Sequence, residues 1–396
     1  MNKRDEAESL IHKSVEQQAR TLRNLALKIH ARPELGYEEI RACAWQTALL
    51  KRWKFNVDTP YVGIDTSYRA AKGQGKPSFC ILSEYDALPD LGHGCGHNLI
   101  AAASLGAAYA LGRVMEKQNL KGTLTVLGTP AEESGGGKVR MVKAGAFKAF
   151  DAIIMPHPDS RTRPDTGCTA IQRFRVSFSG QSAHAASSPE MGRNALDALM
   201  LVFQGVNAWR QQLEESSRIH GVVKEGGTIP NIIPDAASGI FYLRSPRDSV
   251  LRTMVARFRN IVKGAALMTG TKPAIEDHLV PYKARWPNAT LNRLYMEAAD
   301  ACGLDPEMPE HPKRGSSDFG DVSHKAPGAH VYFGISKKNI AGHSPQFREA
   351  SQSDYALDQM LKASESLARV GYAFMTESSV RREARENFHK QRRKLA

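Results

Sequence analysis

The feature that most constrains the fold of this chain is a change in hydrophobic pattern near residue 170. Before it, three short apolar runs, FCILS (79–83), GTLTVLG (122–128) and DAIIM (151–155), alternate with segments of helical periodicity, which begin with an amphipathic helix at 8–30. Short apolar strands that alternate with helices are typical of a parallel sheet covered on both faces. We therefore predict an α/β fold with a mainly parallel sheet.

After residue 170 the pattern becomes that of an α+β domain with the order β-α-β-β-α-β, which is ferredoxin-like. This predicts a small domain at 170–285, inserted into a larger one that is formed by 1–169 and 286–396. The predicted strands are IQRFRVSFSG (171–180), HGVVKEGG (220–227), AASGIFYLRS (236–245) and KPAIEDHLV (272–280), and the predicted helices are Ala195–Leu213 and Ser249–Met268.

The N-terminus and the cysteines indicate a cytoplasmic protein. The first twenty residues mix acids, bases and amides where a signal peptide needs an apolar stretch. No run reaches the ~18 consecutive apolar residues of a membrane-spanning helix. The five cysteines stand singly and are odd in number, which argues against a disulfide framework.

The formal charge of +13 requires that anionic partners be considered. Residues 381–394 carry seven Lys or Arg against two Glu, with Phe388 as the aromatic residue among them. A solvated helical tail is the favoured interpretation and nucleic-acid binding is unlikely, because charge runs are usually exposed faces. A basic surface would also attract substrates that bear a carboxylate.

Four segments of the larger domain concentrate side chains that can bind metal ions, and each follows a strand or lies in a glycine-rich loop. α/β folds place their sites in such positions. The segments are EYDALPDLGHGCGHN (84–98), TPAEESGGG (129–137), MPHP (155–158) and AGHSP (341–345).

Individually these segments leave ordinary interpretations open. Cys95 and His97 are separated by one glycine, so an extended loop could turn both toward one ion, but a flexible loop with a structural histidine is equally favoured. Glu132 and Glu133 point in different directions in a turn, which suits one metal ligand and one general base, yet Glu pairs are also common at helix starts. His157, which directly follows DAIIM between prolines, is better placed as a ligand than as a core histidine.

Taken together and in order, the motifs resemble the aminoacylase and amidohydrolase family of two-metal peptidases. That family includes indole-acetyl-amino acid hydrolases, p-aminobenzoyl-glutamate hydrolase and dipeptidases of the β-alanyl-lysine type. The motifs are HARPELGYEE (30–39), YDALP (85–89), GHGCGHN (92–98), TPAEESGGG, SGQSAHAA (179–186), TIPNIIPD (228–235), GSSDFGDVS (315–323) and AGHS (341–344).

The resemblance implies hydrolysis of an amide bond in an N-acyl amino acid, an aminobenzoyl-glutamate-like compound or a dipeptide. Glu132 would be the base that activates water between two divalent ions, Mn²⁺ or Zn²⁺. Asp86 would orient a ligand, although a turn or helix-capping aspartate is equally favoured. The implied metal ligands are Cys95, His97, Glu133, His157 and His343.

The inserted domain is implied to be a lid and a dimerisation surface that contributes three side chains. His184 would polarise the scissile carbonyl from the partner subunit of a homodimer. Asn231 and Arg244 would bind a substrate carboxylate, although a surface strand residue is nearly as favoured for Arg244.

One departure from the family pattern is Asn98, which stands where many relatives have Asp and therefore removes a charge expected beside the metals. Two other functions stay open at this point. The chain could be an aminohydrolase that acts on another small amide or an aryl amine, or a non-catalytic, metal-dependent binding protein of the same fold.

Overall fold

A computed structural model describes residues 2–310 and 315–395. The chain divides into two compact units, of which the first comprises Met1–Gly167, Trp286–Arg314 and Asp321–Lys394, and the second comprises mainly Cys168–Arg285 and Gly315–Gly320. The helices are α1 (Lys3–His30), α2 (Ile40–Arg52), α3 (His97–Gln118), α4 (Gly137–Lys143), α5 (Ala195–Trp209), α6 (Asp248–Thr269), α7 (Ala289–Ala301), α8 (Phe319–Ser323), α9 (Pro345–Ala350), α10 (Asp354–Thr376) and α11 (Ser378–Leu395). The strands are β1 (Asn56–Asp58), β2 (Tyr68–Gln74), β3 (Ser78–Ser83), β4 (Gly122–Gly128), β5 (Ala152–Asp159), β6 (Ala170–Ser179), β7 (Arg218–Glu225), β8 (Ala236–Ser245), β9 (Lys272–Asp277) and β10 (Gly328–Gly334).

The first unit is built on a six-stranded sheet of order β1-β2-β4-β3-β5-β10. Strands β4, β3, β5 and β10 are parallel to one another, whereas β1 and β2 pair antiparallel at one edge. This confirms the predicted mainly parallel sheet. Strands β1, β2 and β10 were not predicted; β2 has the mixed sequence YRAAKGQ and β1 has only three residues.

Strand β3 lies at the point where the order of the parallel strands reverses. The chain passes from β3 through α3 to β4 on one side, and then through α4 to β5 on the other side of β3. The two connections leave a crevice at the carboxyl ends of these strands, which is where open α/β sheets hold their ligands. The fold therefore directs the segments after β3, β4 and β5 toward a common place.

Helix α3 forms the centre of the first core. It is rich in Ala and Leu, and nearly every residue from His97 to Met115 is buried. His97–Gln118 is also the one helix of the described chain that is long and apolar enough to span a membrane, but 89% of its apolar window is buried inside the protein. Such burial is that of a core helix.

Strand β5 is longer than its apolar run DAIIM. Residues 152–159 all belong to it, since β10 pairs alongside in parallel register and aligns Tyr332 with His157. His157 was predicted to follow the strand and instead lies within it. The prolines at positions 156 and 158 are compatible with this extension, because pairing with β10 is the only ladder that reaches them among the described strands.

The second unit is a four-stranded antiparallel sheet of order β7-β8-β6-β9, and helices α5 and α6 pack against it. The first and third strands of this unit, β6 and β8, are central neighbours, so the predicted β-α-β-β-α-β order closes into one sheet. The helix predicted to reach Leu213 ends at Trp209 and continues as a 3₁₀ turn over Arg210–Gln212.

Candidate metal centre

All five predicted metal ligands belong to two groups of side chains in the first unit. Cys95, His97 and His157 form one group, in which the potential ligand atoms all lie within 4.8 Å of one another. Cys95, Glu133 and His343 form a second group by the same measure. Cys95 is the side chain that these two groups share.

Cys95 and His97 are brought together by a sharp turn into α3. Gly96 between them has a φ of 74°, the left-handed region that glycine adopts without strain. A Cβ atom at this position would approach Pro158 Cγ to 2.6 Å. The extended loop predicted here is wrong for His97, which is the first residue of the helix.

Asp86 orients two parts of the centre. Its Oδ1 accepts a hydrogen bond from His97 Nδ1 at 3.0 Å, and its Oδ2 accepts one from the Glu133 backbone N–H at 2.9 Å. In the neutral ring, with the proton on Nδ1, His97 presents the lone pair of Nε2 to the centre. Asp86 is thus placed to select the tautomer of one candidate ligand and the backbone position of another.

The charges around His97 shift the pKa values of the centre strongly. Burial opposes a charge on His97, but Glu84, Cys95 and Asp86 outweigh it and raise the pKa of His97 well above 6.5. Burial also works to raise the pKa of Asp86, and the neighbouring His97 outweighs it, so that the pKa is lowered. Burial and Glu133 raise the pKa of the Cys95 thiol, and a bound cation would reverse this direction.

Glu84 and Lys138 belong to this centre and were missed from the sequence. Glu84 Oε1 lies 3.1 Å from His97 Nε2, and its other oxygen accepts a hydrogen bond from Lys138 Nζ. Both side chains are buried. Glu84 precedes Asp86 by two residues directly after β3, and this spacing was the available signal, whereas nothing in GGGKVR predicted a buried lysine.

The loop that carries the two glutamates is held from beneath by Glu39. Glu39 is fully buried, and its Oε1 accepts the Ala131 N–H at 2.8 Å, where the chain turns through a φ of 59°. Glu132 and Glu133 follow in this turn. Glu132 forms a third group with Glu84 and His97, so its carboxylate lies beside the ligand groups and not out in solvent.

His157 and His343 approach the centre from different segments. His157 Nδ1 donates to the Pro158 carbonyl at 2.7 Å, which leaves Nε2 as an acceptor that faces Cys95 Sγ at 3.5 Å. His343 has a φ of 56° and its N–H donates to the Gly94 carbonyl, so that its Nε2 comes within 3.4 Å of Glu133 Oε1. That contact with Glu133 raises the pKa of His343.

The donor set fits divalent metal ions. His97 Nε2 and Glu133 Oε1 are buried, and their contacts with Glu84 and His343, at 3.1 and 3.4 Å, do not have hydrogen-bond geometry within residues 2–310 and 315–395. Atoms of this kind are costly unless a ligand satisfies them. One thiolate, three imidazoles and carboxylates are the ligands that zinc and neighbouring transition ions accept.

Asn98, in the first turn of α3, and His93, in the loop before it, make other contacts. Asn98 is buried, and its Nδ2 donates to the backbone carbonyls of Ala26 and Ser351. Its amide therefore connects two other segments of the chain through their backbone carbonyls. His93 packs beside His30, with 6.1 Å between ring centroids, and belongs to none of the three groups.

The remaining predicted site residues lie in the second unit. His184 is exposed, and its segment pairs with Ile232 next to Asn231. Arg244 lies on β8, half-buried, and donates to Ser316 Oγ at 2.9 Å.

A mainly parallel α/β sheet with such a cluster at its strand ends is the arrangement of a metal-dependent hydrolase, and comparison with known proteins identifies the family. The chain matches peptidase family M20/M25/M40 over residues 80–370. It belongs to this family of metallopeptidases.

Characterised relatives agree with this assignment. The chain is similar to the Xaa-Arg dipeptidases of Mus musculus and Homo sapiens, with 36% identity over 89% of this chain and 85% of the mouse protein, and 34% identity over 98% of this chain and 94% of the human protein. It is 34% identical to one of the subunits of p-aminobenzoyl-glutamate hydrolase from Escherichia coli, over 66% of this chain and 58% of that protein.

A solved structure shares the fold. The Bacillus subtilis YXEP protein, a dinuclear metal-binding peptidase from the M20 family, superposes with a TM-score of 0.66 at 21% identity, over 89% of this chain and 98% of that protein.

Substitution of Lys138 should show that Lys138 and Glu84 contribute to stability as a coupled pair. Lys138→Met leaves the Glu84 carboxylate without its ammonium group, which should lower the free energy of unfolding by about 3–5 kcal/mol in urea with a chelator present. The double variant Glu84→Gln/Lys138→Met should recover part of this loss. Lys143→Met, at the exposed end of α4, is the matched control, and an equal loss in the single and double variants would contradict the coupling.

Glu39 should make stability depend on pH in an unusual direction. Burial, and secondarily the charge on Asp86, raises the pKa of Glu39 from 4.5 to about 7. Below pH 4.5 the carboxyl is protonated in both states, and between 4.5 and 7 it ionises first in the unfolded chain, so the folded state loses up to about 3 kcal/mol as pH rises.

Glu39→Gln removes this loss while it keeps an acceptor for Ala131. The difference in unfolding free energy between Glu39→Gln and wild type, measured in chelator, should therefore grow in favour of the variant from pH 4.5 to 7 and then level off. Glu38→Gln, at the exposed neighbouring position, is the control. A difference that is constant across this range would contradict the prediction.

Proposed function

We propose that this protein is a dipeptidase that uses two divalent metal ions, Mn²⁺ or Zn²⁺, to hydrolyse a dipeptide with a free C-terminal carboxylate. The observation that carries the proposal is that Cys95 is shared by two ligand groups. The similarity of the protein to Xaa-Arg dipeptidases along nearly the whole chain supports a dipeptide as the substrate.

The proposed ligands are Cys95, His97, Glu133, His157 and His343. Bound divalent ions would acidify a water between them and polarise the amide carbonyl. Asp86 accepts a hydrogen bond from Nδ1 of His97 and so favours the tautomer that metal binding requires. The ammonium group of Lys138 compensates the negative charge of Glu84, which lies next to His97.

Glu132 is the proposed general base. Its carboxylate lies in one group with His97 and Glu84, and it is adjacent in sequence to the proposed ligand Glu133. Glu132 would accept a proton from the attacking water and return it to the leaving amine.

His184 is proposed to stabilise the oxygen of the scissile carbonyl as it becomes negative. Its Nδ1 accepts hydrogen bonds from the Ala186 and Ser187 N–H groups, both at 3.2 Å. In the neutral ring the proton is therefore on Nε2, the exposed nitrogen, which can donate to an oxyanion. We propose that this histidine is supplied by the partner subunit of a homodimer, in which the second unit serves as lid and dimerisation domain.

Arg244 and Asn231 are proposed to bind the substrate carboxylate. Burial and the nearby Arg173 lower the pKa of Arg244, and no described acid forms an ion pair with it. A half-buried guanidinium without a carboxylate partner is suited to grip one on a substrate. Asn231 pairs through its backbone carbonyl with the Ala185 N–H, next to His184.

A second candidate substrate is p-aminobenzoyl-glutamate, which is favoured by the 34% identity to the Escherichia coli hydrolase. Both candidates carry a free carboxylate, so the role of Arg244 is the same for either. We further propose a cytoplasmic enzyme, in keeping with its five free cysteines.

The substrate class can be tested with purified enzyme that is loaded with Mn²⁺ or Zn²⁺. We expect hydrolysis of dipeptides with C-terminal Arg or Lys, such as β-alanyl-lysine, to exceed that of p-aminobenzoyl-glutamate and N-acetyl amino acids in kcat/KM. Cleavage of aminobenzoyl-glutamate alone would favour the second candidate. No hydrolysis of any member of the panel, with two metal ions bound, would exclude the proposal.

Glu132→Gln should keep the metal content of the wild type and lose turnover by about 10³-fold or more, because only the base is removed. Metal analysis by mass spectrometry provides the readout apart from activity. Full activity in this variant would refute the role of Glu132. Glu190→Gln, at an exposed position of the second unit, serves as the control substitution.

Complementation tests whether His184 acts across a dimer. His184→Ala and His97→Ala should each be nearly inactive, since the first lacks the carbonyl-binding group and the second lacks a metal ligand. Mixed and re-associated dimers should regain activity, because one of their two sites would be intact in each mixed pair. Mixed dimers that are demonstrated by mass but remain inactive would exclude the trans arrangement.

A further inference from the structure

A cavity of about 700 Å³ lies at the end of the first unit that is opposite to the metal ligands. Pro77, Asp151 and Pro327, each of which directly precedes a parallel strand (β3, β5 and β10), form one side of it. The ligand groups lie at the other ends of the same strands. A strand of six residues spans about 20 Å, so the cavity and the metal centre are separate sites.

The charge of this cavity is strongly positive. Five of its lining residues are Lys or Arg, and Asp151 is its one acid. Asp151 is already engaged, because one oxygen accepts from Lys76 Nζ at 2.9 Å and the other from the Ser78 N–H at 2.7 Å. The cavity therefore carries uncompensated cations.

Three of these cations have no anionic partner. Lys325, Arg382 and Arg385 are exposed, and none forms an ion pair with an acid in residues 2–310 and 315–395. Arg382 and Arg385 are three apart on α11 and so share one face of the helix. Lys325 approaches from the loop before β10, which means that cations from two separate elements converge on one volume.

Aromatic residues in the lining of the cavity restrict the class of ligand further. Phe150, Phe374 and Phe388 line the same cavity. Phe150 and Phe374 are buried in the core, whereas Phe388 is only half-buried and offers part of its ring to the space. A cavity whose lining combines a partly exposed aromatic ring with guanidinium groups matches a planar ring that carries phosphate groups.

We propose that this cavity binds an anionic small molecule of nucleotide size, in which Arg382, Arg385 and Lys325 contact phosphate and Phe388 contacts a planar ring. The volume is in the range of small-molecule sites. Because the site is distant from the metal centre, its ligand is not the dipeptide.

Calorimetric titration of the metal-loaded enzyme at 150 mM salt tests this inference. ATP should bind, and inorganic triphosphate should bind at least about tenfold more weakly, because it lacks the ring. Arg382→Gln/Arg385→Gln should weaken ATP binding about 30-fold or more, since two charge-assisted contacts are lost. Arg392→Gln/Arg393→Gln is the matched control, since it removes the same charge from the same helix outside the cavity, and it should change the affinity less than about threefold.

Three results would overturn the proposal. They are the absence of ATP binding at millimolar concentration, equal affinities for ATP and inorganic triphosphate, and equal losses in the two double-arginine variants. The last result would mean that anions bind to the basic surface of α11 as a whole and not to the cavity. Binding of a single-stranded oligonucleotide that is tighter than that of ATP and depends on Arg392 and Arg393 would lead to the same conclusion. Dipeptide hydrolysis by each variant, measured without ATP, verifies that the fold is intact.

Discussion

The structure of this protein depends on one constraint, which is that several acids are held close together at the carboxyl ends of parallel strands. Glu84, Asp86, Glu132 and Glu133 lie around His97, and the one buried lysine among the described residues, Lys138, balances part of their charge. Like charges at this spacing repel unless cations separate them. The pKa of His97, which the surrounding acids raise, shows the same imbalance. A centre of this charge favours divalent cations.

Preorganisation of this centre comes from groups behind the ligands. Asp86 fixes His97, the Pro158 carbonyl fixes His157, and Glu39 holds the turn before Glu132. Each of these hydrogen bonds is buried or half-buried. In each of them the partner is either a backbone group or a side chain from another segment of the chain. The candidate ligand side chains are therefore held in place by the protein itself, which reduces the reorganisation that metal binding would require.

The carboxyl ends and the amino ends of the parallel strands are surrounded by side chains of opposite charge. Acids gather where β3, β4 and β5 end, whereas Lys325, Arg382 and Arg385 gather where β3, β5 and β10 begin. The net charge of +13 is thus unevenly distributed, and a sequence total does not describe the field at either site. A catalytic centre for an amide and a separate site for an organic phosphate can coexist in one unit for this reason.

Much of the architecture was determined by the sequence alone. The alternation of apolar runs predicted the parallel sheet, and the β-α-β-β-α-β order of the second unit followed from local periodicity, since both patterns depend on which residues are buried. The five candidate ligands followed from the resemblance of the ordered motifs to the family, since most of these segments individually left an ordinary interpretation open.

Tertiary structure decided what depends on long-range pairing. Strand β5 takes in His157 because β10, distant in sequence, pairs with it. Glu84 and Lys138 meet across 54 residues, and Asn98 turns to the carbonyls of Ala26 and Ser351. No local pattern encodes these contacts, since each one is created by the packing of segments whose individual sequences are indifferent to it.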